Sequence, residues 1–146
     1  MDFFTAMEVS ASGLSAQRAR LNTASSNLAN VSTTRSIDGS GPYKRRDVVL
    51  AARRMGETLA GSQAGGGAHQ AFGVIVKRFQ DDQKQPRMEY DPGHPDANAD
   101  GYVAYPNVSP VEEMVDMITA SRAYEAGVTA LGSAVTMAER ALSIGR

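Results

Sequence analysis

The chain has 146 residues, of which 42% are hydrophobic and 21% charged, with no tryptophan, no cysteine and a net charge of −1. That balance lacks the basic face of a nucleic-acid binder, and the missing cysteines remove disulfides, thiolate ligands and thiol nucleophiles from consideration. No run of about 18 apolar residues occurs, so no transmembrane insertion is expected, and the scarcity of aromatics argues against a thick core.

In chain order, the opening "MDFFTAMEVSASGLSAQ" has neither a basic leader nor the continuous apolar segment of a signal peptide. Export, if it occurs, is expected by another route. Residues 1–34 are read as an N-terminal helix and its exit turn. Over residues 3–31, Phe4, Met7, Ala11, Leu14, Leu21 and Leu28 follow alternating three-four spacing, with Arg18 and Ser25 at the interrupted positions of a heptad seam. The helix runs out in "SSNLANVSTT", residues 25–34. In this turn, which includes Ser26, Asn27, Leu28, Ala29 and Asn30, amide and hydroxyl side chains are expected to satisfy orphan backbone groups. Asn30 is expected in the left-handed conformation that often closes a helix.

Residues 35–108 hold five of the six prolines and ten of the fourteen glycines, together with the β-prone runs "YKRRDVVL" at 43–50 and "FGVIVKRF" at 72–79. A small β-rich insert is predicted, with "GSQAGGGAH" at 61–69 as a flexible loop. That loop has neither the spacing of a dinucleotide fingerprint nor the GK[ST] ending of a phosphate loop. Residues 109–146 return to helix. Ser109, Pro110 and Glu112 supply an N-cap, a first-turn proline and a third-position acid, and Glu112 and Glu113 are explained by the helix dipole. The seam resumes with Met114, Met117, Ser121, Tyr124, Val128, Leu131, Val135, Ala138 and Leu142. The fold class is therefore α+β: N- and C-terminal helices paired as a coiled coil, with a small β-rich domain inserted between them.

Candidate chemistry is thin. "DANADG" at 96–101 places Asp96, Asn98, Asp100 and Gly101 like the first half of a calcium loop, but position twelve is Asn107 rather than a bidentate glutamate. The alternative is a tight loop in which Asp and Asn side chains bond their own backbone. His69 and His94 are far apart and are read as surface-loop residues. The basic runs at 44–47 and 52–54 are read as an exposed strand edge. No nucleophile elbow occurs, and no catalytic, metal-binding or cofactor-binding residue is assigned. What remains is assembly. Each seam is diluted with small residues, so the helices are expected to be marginal alone and to fold on incorporation into a larger object.

Two stretches also carry a resemblance. "GLSAQRARLNTASSNLANVSTT" at 13–34 resembles the N-terminal signature of the bacterial flagellar axial proteins, the rod and hook family. "YDPGHPDANADGYVAYPNVSPVEEMVDMITASRAYEAGVTAL" at 90–131 is similar to the proximal-rod members of that family, with Ser109 standing where aspartate is expected. The resemblance implies a structural subunit of the rod, the torque-transmitting drive shaft of the basal body. It implies type III export without a cleaved leader, and helices paired in the inner layer of a helical assembly with the β insert outside. The implied partners are copies of the chain, other rod proteins, and export-gate or MS-ring components, with no small-molecule substrate. A non-flagellar coiled-coil adaptor and an extracellular calcium-binding module are the alternatives.

Overall fold

The computed structural model describes residues 3–36, 39, 41–55 and 71–144. The loop expected at 61–69, and His69 with it, lies outside the described residues. The element order is α1 (Phe3–Ala29), β1 (Arg46–Arg54), β2 (Phe72–Asp81), β3 (Arg87–Tyr90), β4 (Tyr102–Tyr105) and α2 (Pro110–Ile144). This is an α+β chain with long helices at both ends and two two-stranded sheets between them.

Both the start of α2 and the end of α1 have local causes. Proline stands at the first position of α2, where a missing amide proton costs nothing, and Glu112 and Glu113 lie in the first turn. The Ser109 carbonyl accepts the Glu113 amide at 3.1 Å. At its C-terminal end, α1 closes by tightening. The Asn30 amide reaches both the Ser26 and Asn27 carbonyls at 3.2 Å, and the Val31 amide bonds three residues back to Leu28. Asn30 does not take the expected left-handed conformation: among the described residues only Gly39, Gly41 and Gly101 have positive φ. The reason is visible in its side chain, whose Nδ2 donates to the Ser26 carbonyl at 2.8 Å and so satisfies an orphan acceptor without a reversal of the backbone.

The chain divides into two compact units. The first comprises Met1–Ala19, Val49–Arg78 and Ala120–Arg146. Here α1 and α2 run antiparallel, with Arg18 donating to the Tyr124 hydroxyl at 3.1 Å and Leu14 seated on Gly127. An added Cβ at Gly127 would stand 2.8 Å from Leu14 Cδ2, so the glycine sets the closeness of the two helices. β2 is tied to α1 through Ser12, whose hydroxyl donates to the Val9 carbonyl and accepts the Val74 amide at 3.0 Å. Among the described residues of this unit, the buried hydrophobic ones are Ala16, Met55, Ala71 and Ala120. Such small side chains bury little area each, which accounts for how thin the core is.

The second unit comprises Arg20–Val48 and Phe79–Thr119. Its helices are again antiparallel, linked through Asn27 and Glu113 at one level and Arg20 and Asp116 at another. β3 and β4 pair antiparallel with Arg87 opposite Tyr105 and Tyr90 opposite Tyr102, and the two tyrosine rings of the second pair meet edge-on at 5.3 Å. Val103 within β4, and Pro106 and Val108 just after it, are buried. The sequence runs anticipated β1 and β2, while β3 and β4 are too short to show an alternating pattern.

Gly73 offers a direct test of the packing. A Cβ there would lie 1.8 Å from Met55 Cε and 2.7 Å from Ser12 Oγ. Gly73→Ala should therefore lower the unfolding free energy by about 1–3 kcal/mol, the usual penalty for overpacking, as read by chemical denaturation. A change within error of zero would show that Met55 and Ser12 yield freely.

Candidate functional site

The most organised side chains in the molecule form a buried polar joint rather than a pocket for a substrate. Asn27 and Glu113 are each 1% exposed. Asn27 sits in the last turn of α1 and Glu113 in the first turn of α2, so one residue near the end of each helix supplies the contact. Asn27 Nδ2 donates to Glu113 Oε2 at 3.0 Å and to the Arg46 carbonyl at 2.9 Å. Its Oδ1 accepts the Arg46 amide and the Tyr43 hydroxyl, both at 2.9 Å. All four hydrogen-bonding positions of the amide are used. With Arg46 the exchange is reciprocal, N–H to O and O to N–H, as between paired strand residues, so Asn27 holds the start of β1 against α1.

The second oxygen of Glu113 is held by Arg45, whose Nε lies 2.6 Å from Oε1. Arg45 also reaches Asp47 at 2.6 Å and Asp116 at 3.9 Å. Burial works against the Arg45 charge, but the hydrogen bond and charge of Glu113, with those of Asp47, outweigh it and raise its pKa. Two sequence readings are corrected here. Glu113 is not explained by the helix dipole alone, because it points inward and is fully paired. Arg45 does not belong to an exposed strand edge, because its side chain is only 18% exposed. Asn27 likewise does more than cap its own helix. A mixed-charge cleft of about 250 Å³ adjoins the joint, lined in part by Arg20, Arg46, Asp47 and Asp116. Arg20 pairs with Asp116 at 3.8 Å and Arg46 with Asp81 at 3.2 Å, so these groups are committed to one another.

The loop at 96–101 turns out to be self-bonded. Asn98 Oδ1 accepts the amides of Asp100 and Tyr102, and His94 Nδ1 accepts that of Asp96. The Asp96 carboxylate is clasped by the Thr34 hydroxyl at 2.8 Å and by the Arg35 guanidinium. The Thr34 hydrogen bond, followed by the bond and charge of Arg35 and the charge of His94, lowers its pKa against the opposing effect of desolvation. This clasp fastens the turn after α1 to the loop before β4.

The seam residues divide into two groups. Met7, Leu14, Leu21 and Leu28 on α1, and Met117, Tyr124, Leu131 and Val135 on α2, are half-buried. Phe4, Ala11, Met114, Val128 and Leu142 are exposed on the single chain. The fully buried helix positions are Ala16, Ala24, Asn27, Glu113 and Ala120. On α2 the inward stripe thus passes through Glu113 and Ala120, one residue from the expected Met114 and Ser121. Its first turn is aimed by the Arg45 and Asn27 bonds, which no hydropathy pattern records. At the end of α1 the Ser26 and Ala29 side chains are exposed, and in the turn that follows Thr33 donates to Asn30 Oδ1 at 3.1 Å. Pro110 and Glu112 are exposed, and Ser109 is half-buried.

Known proteins match both halves of this joint. The family model described as "Flagella basal body rod protein" matches residues 7–35, and the one described as "Flagellar basal body rod FlgEFG protein C-terminal" matches residues 99–144. Asn27 lies in the first and Glu113 in the second. The flagellar basal-body rod protein FlgC of Bacillus subtilis is 43% identical over 152 residues, covering 100% of both chains. That of Borreliella burgdorferi is 43% identical over 99% of this chain and 98% of its own, and that of Salmonella typhimurium 36% identical over 100% of both.

Two outcomes follow from the joint and the clasp. Glu113→Gln, which strips the charge facing Arg45 in a buried site, should cost about 3–5 kcal/mol in denaturant unfolding, and a loss under about 1 kcal/mol would show that the pair is effectively solvated. For Asp96, the folded pKa lies below the unfolded value of about 3.9, so its stabilisation is complete above that value and lost as pH falls through the folded pKa. The melting difference between the natural chain and Asp96→Asn should hold steady from neutral pH to about 5 and shrink below about 4. A difference that stays constant down to about pH 2 would mean that the clasp does not depend on the carboxylate charge.

Proposed function

The chain belongs to the flagellar basal-body rod protein family, and from that premise we propose that it serves in the proximal rod, joining its neighbours through its terminal helices in the shaft that transmits torque. It is a structural rod subunit of the basal body and not an enzyme. One observation carries the assembly reading: the chain buries small side chains and leaves large ones in water. Its buried helix hydrophobics are Ala16, Ala24 and Ala120, whereas Phe4, Val111, Val115, Ile118, Met137, Leu142 and Ile144 are each more than half exposed. Every Å² of apolar surface that a neighbour covers contributes roughly 25 cal/mol, so the exposed set is a reserve of association energy.

In this reading the half-buried seam residues hold the subunit's own helix pair together. Phe4, Ala11, Met114, Val128 and Leu142 face neighbouring subunits, and the β region lies outside the helical layer. The neighbours are copies of this chain and other rod proteins, with export-gate or MS-ring components at the base. Travel to this periplasm-spanning position is proposed through the flagellar type III export apparatus without a cleaved leader. The far ends of both helices gain order on incorporation, since a core of alanines gives them little hold in isolation.

Leu142→Asp with Ile144→Asp tests the proposal, because both positions are on the surface of the free chain, at 77% and 85% exposure. The double variant should unfold within about 0.5 kcal/mol of the natural chain, as surface changes do. In flagellated cells whose own copy is deleted, it should fail to complete the rod seen in isolated basal bodies and fail to restore swimming, while the natural chain restores both. Normal rods built from the double variant would remove the C-terminal helix end from the assembly surface.

A further inference from the structure

The first turns of α2 carry Val111, Met114, Val115 and Ile118 at helical spacing on one outward stripe, with exposures of 71%, 49%, 57% and 55%. A four-residue apolar stripe of this size on a helix that is already paired along its opposite side calls for a cover. The outward side of α1 has the opposite character. Ala11, Ser15, Asn22, Ser25, Ser26 and Ala29 are all exposed there, a surface of short side chains over which bulky ones fit.

We infer that the outward face of α2 over residues 111–126 docks antiparallel on the outward face of α1 over residues 4–18 of a second copy of this chain, an inference that rests on the rod-subunit reading. Size complementarity and charge complementarity select the same register. With Val115 over Ser15, Ile118 falls within one residue of Ala11, so a large side chain meets a small one at both levels. Further along, the same register brings Phe4 over Ala126, large against small in the reverse sense, and all of these side chains have surface to bury except where their own helix covers it.

The charges agree. Arg122 comes opposite Glu8, and Glu112 comes opposite Arg18, ten residues away on both helices. Among the described residues Arg122 and Glu112 have no ion-pair partner within the chain. Glu8 is held only by Arg53 at 3.8 Å with both side chains more than half exposed, and Arg18 only by the Tyr124 hydroxyl and ring. A shift by one helical turn would set Ile118 near Ser15 but would leave Arg122 beside Ser12 and Glu112 beside Asn22, forfeiting both charge pairs. Because the two faces differ, the contact is heterologous. Each copy keeps one face free for the next, as growth of an open helical assembly requires. The antiparallel sense is also what a polar shaft imposes, since subunits of one orientation present α2 to a neighbour's α1 running the other way.

The chain has no cysteine, which makes the register directly measurable. Ala11→Cys and Ile118→Cys are placed on separate full-length chains and expressed together in flagellated cells whose own copy is deleted, followed by mild oxidation of isolated basal bodies. The expected product is a disulfide dimer joining the peptide that spans position 11 of one chain to the peptide that spans position 118 of the other. It should be abundant with the mixed pair and at least tenfold weaker with either variant alone. Pairing Ala11→Cys with Thr129→Cys, displaced by eleven residues or roughly 16 Å of helix, should give none. Absence of the mixed dimer while the cells swim and both thiols alkylate would overturn the docking but leave the rod reading intact. Capture of a different rod protein at position 118 would overturn the second copy as occupant. Complete rods and full swimming in cells lacking the chain altogether would instead defeat the rod reading itself.

Discussion

A carboxylate taken wholly out of water costs several kcal/mol unless its charge and both oxygens are satisfied, and the Glu113 carboxylate is satisfied by one residue from each of two other elements. Arg45 comes from the segment leading into β1 and Asn27 from the last turn of α1. The consequence is geometric. α2 must start where Glu113 can reach both, β1 must leave where Asn27 can clamp the peptide of Arg46, and the helices must approach in antiparallel sense at this level. The remaining contacts of the second unit, the Arg20 to Asp116 pair and the Thr34–Arg35–Asp96 clasp, are more exposed and screened by solvent, so they follow this joint rather than set it.

The joint also explains how the second unit, with little hydrophobic core among its described residues, holds its fold. Ala24 allows close approach but contributes modest transfer energy. A fully bonded polar centre supplies direction instead, since its hydrogen bonds are met in one register only. Large apolar side chains are thereby released from the interior and placed on outward faces. In the proposed assembly that division of labour leaves the polar joint to fix the fold around it and the exposed stripes to supply association energy.

Much of this was legible in the sequence where the pattern is long. Two heptad-spaced helices, the glycine- and proline-rich centre, and the proline at the head of α2 all translate into backbone preferences that act over many residues. The boundaries of α1 and α2 fall within two residues of their expected positions, apart from the turn at Asn30. What escaped were features that depend on contacts distant in sequence. Glu113 looked like one of two helix-start acids, and nothing local distinguishes it from exposed Glu112. Asn27 looked like a cap because it sits near a helix end, but its partners are 16, 19 and 86 residues away. The short strands β3 and β4 are held by cross-strand pairs that no pattern of that length encodes. The Asx turns of residues 96–101, by contrast, were readable, because the atoms that form them lie within four residues of one another.

The most direct measurement is amide hydrogen exchange of the isolated full chain, followed at the Arg46 N–H, whose acceptor is the Asn27 side chain rather than another strand. If the buried joint organises the fold, this amide should exchange as slowly as the centre of α1 and only through global unfolding, while amides of α2 beyond Val128 exchange far faster. Rapid exchange at Arg46 beside a protected C-terminal half of α2 would contradict the account, placing the stability of the chain in its helix pair and leaving the joint as a consequence of it.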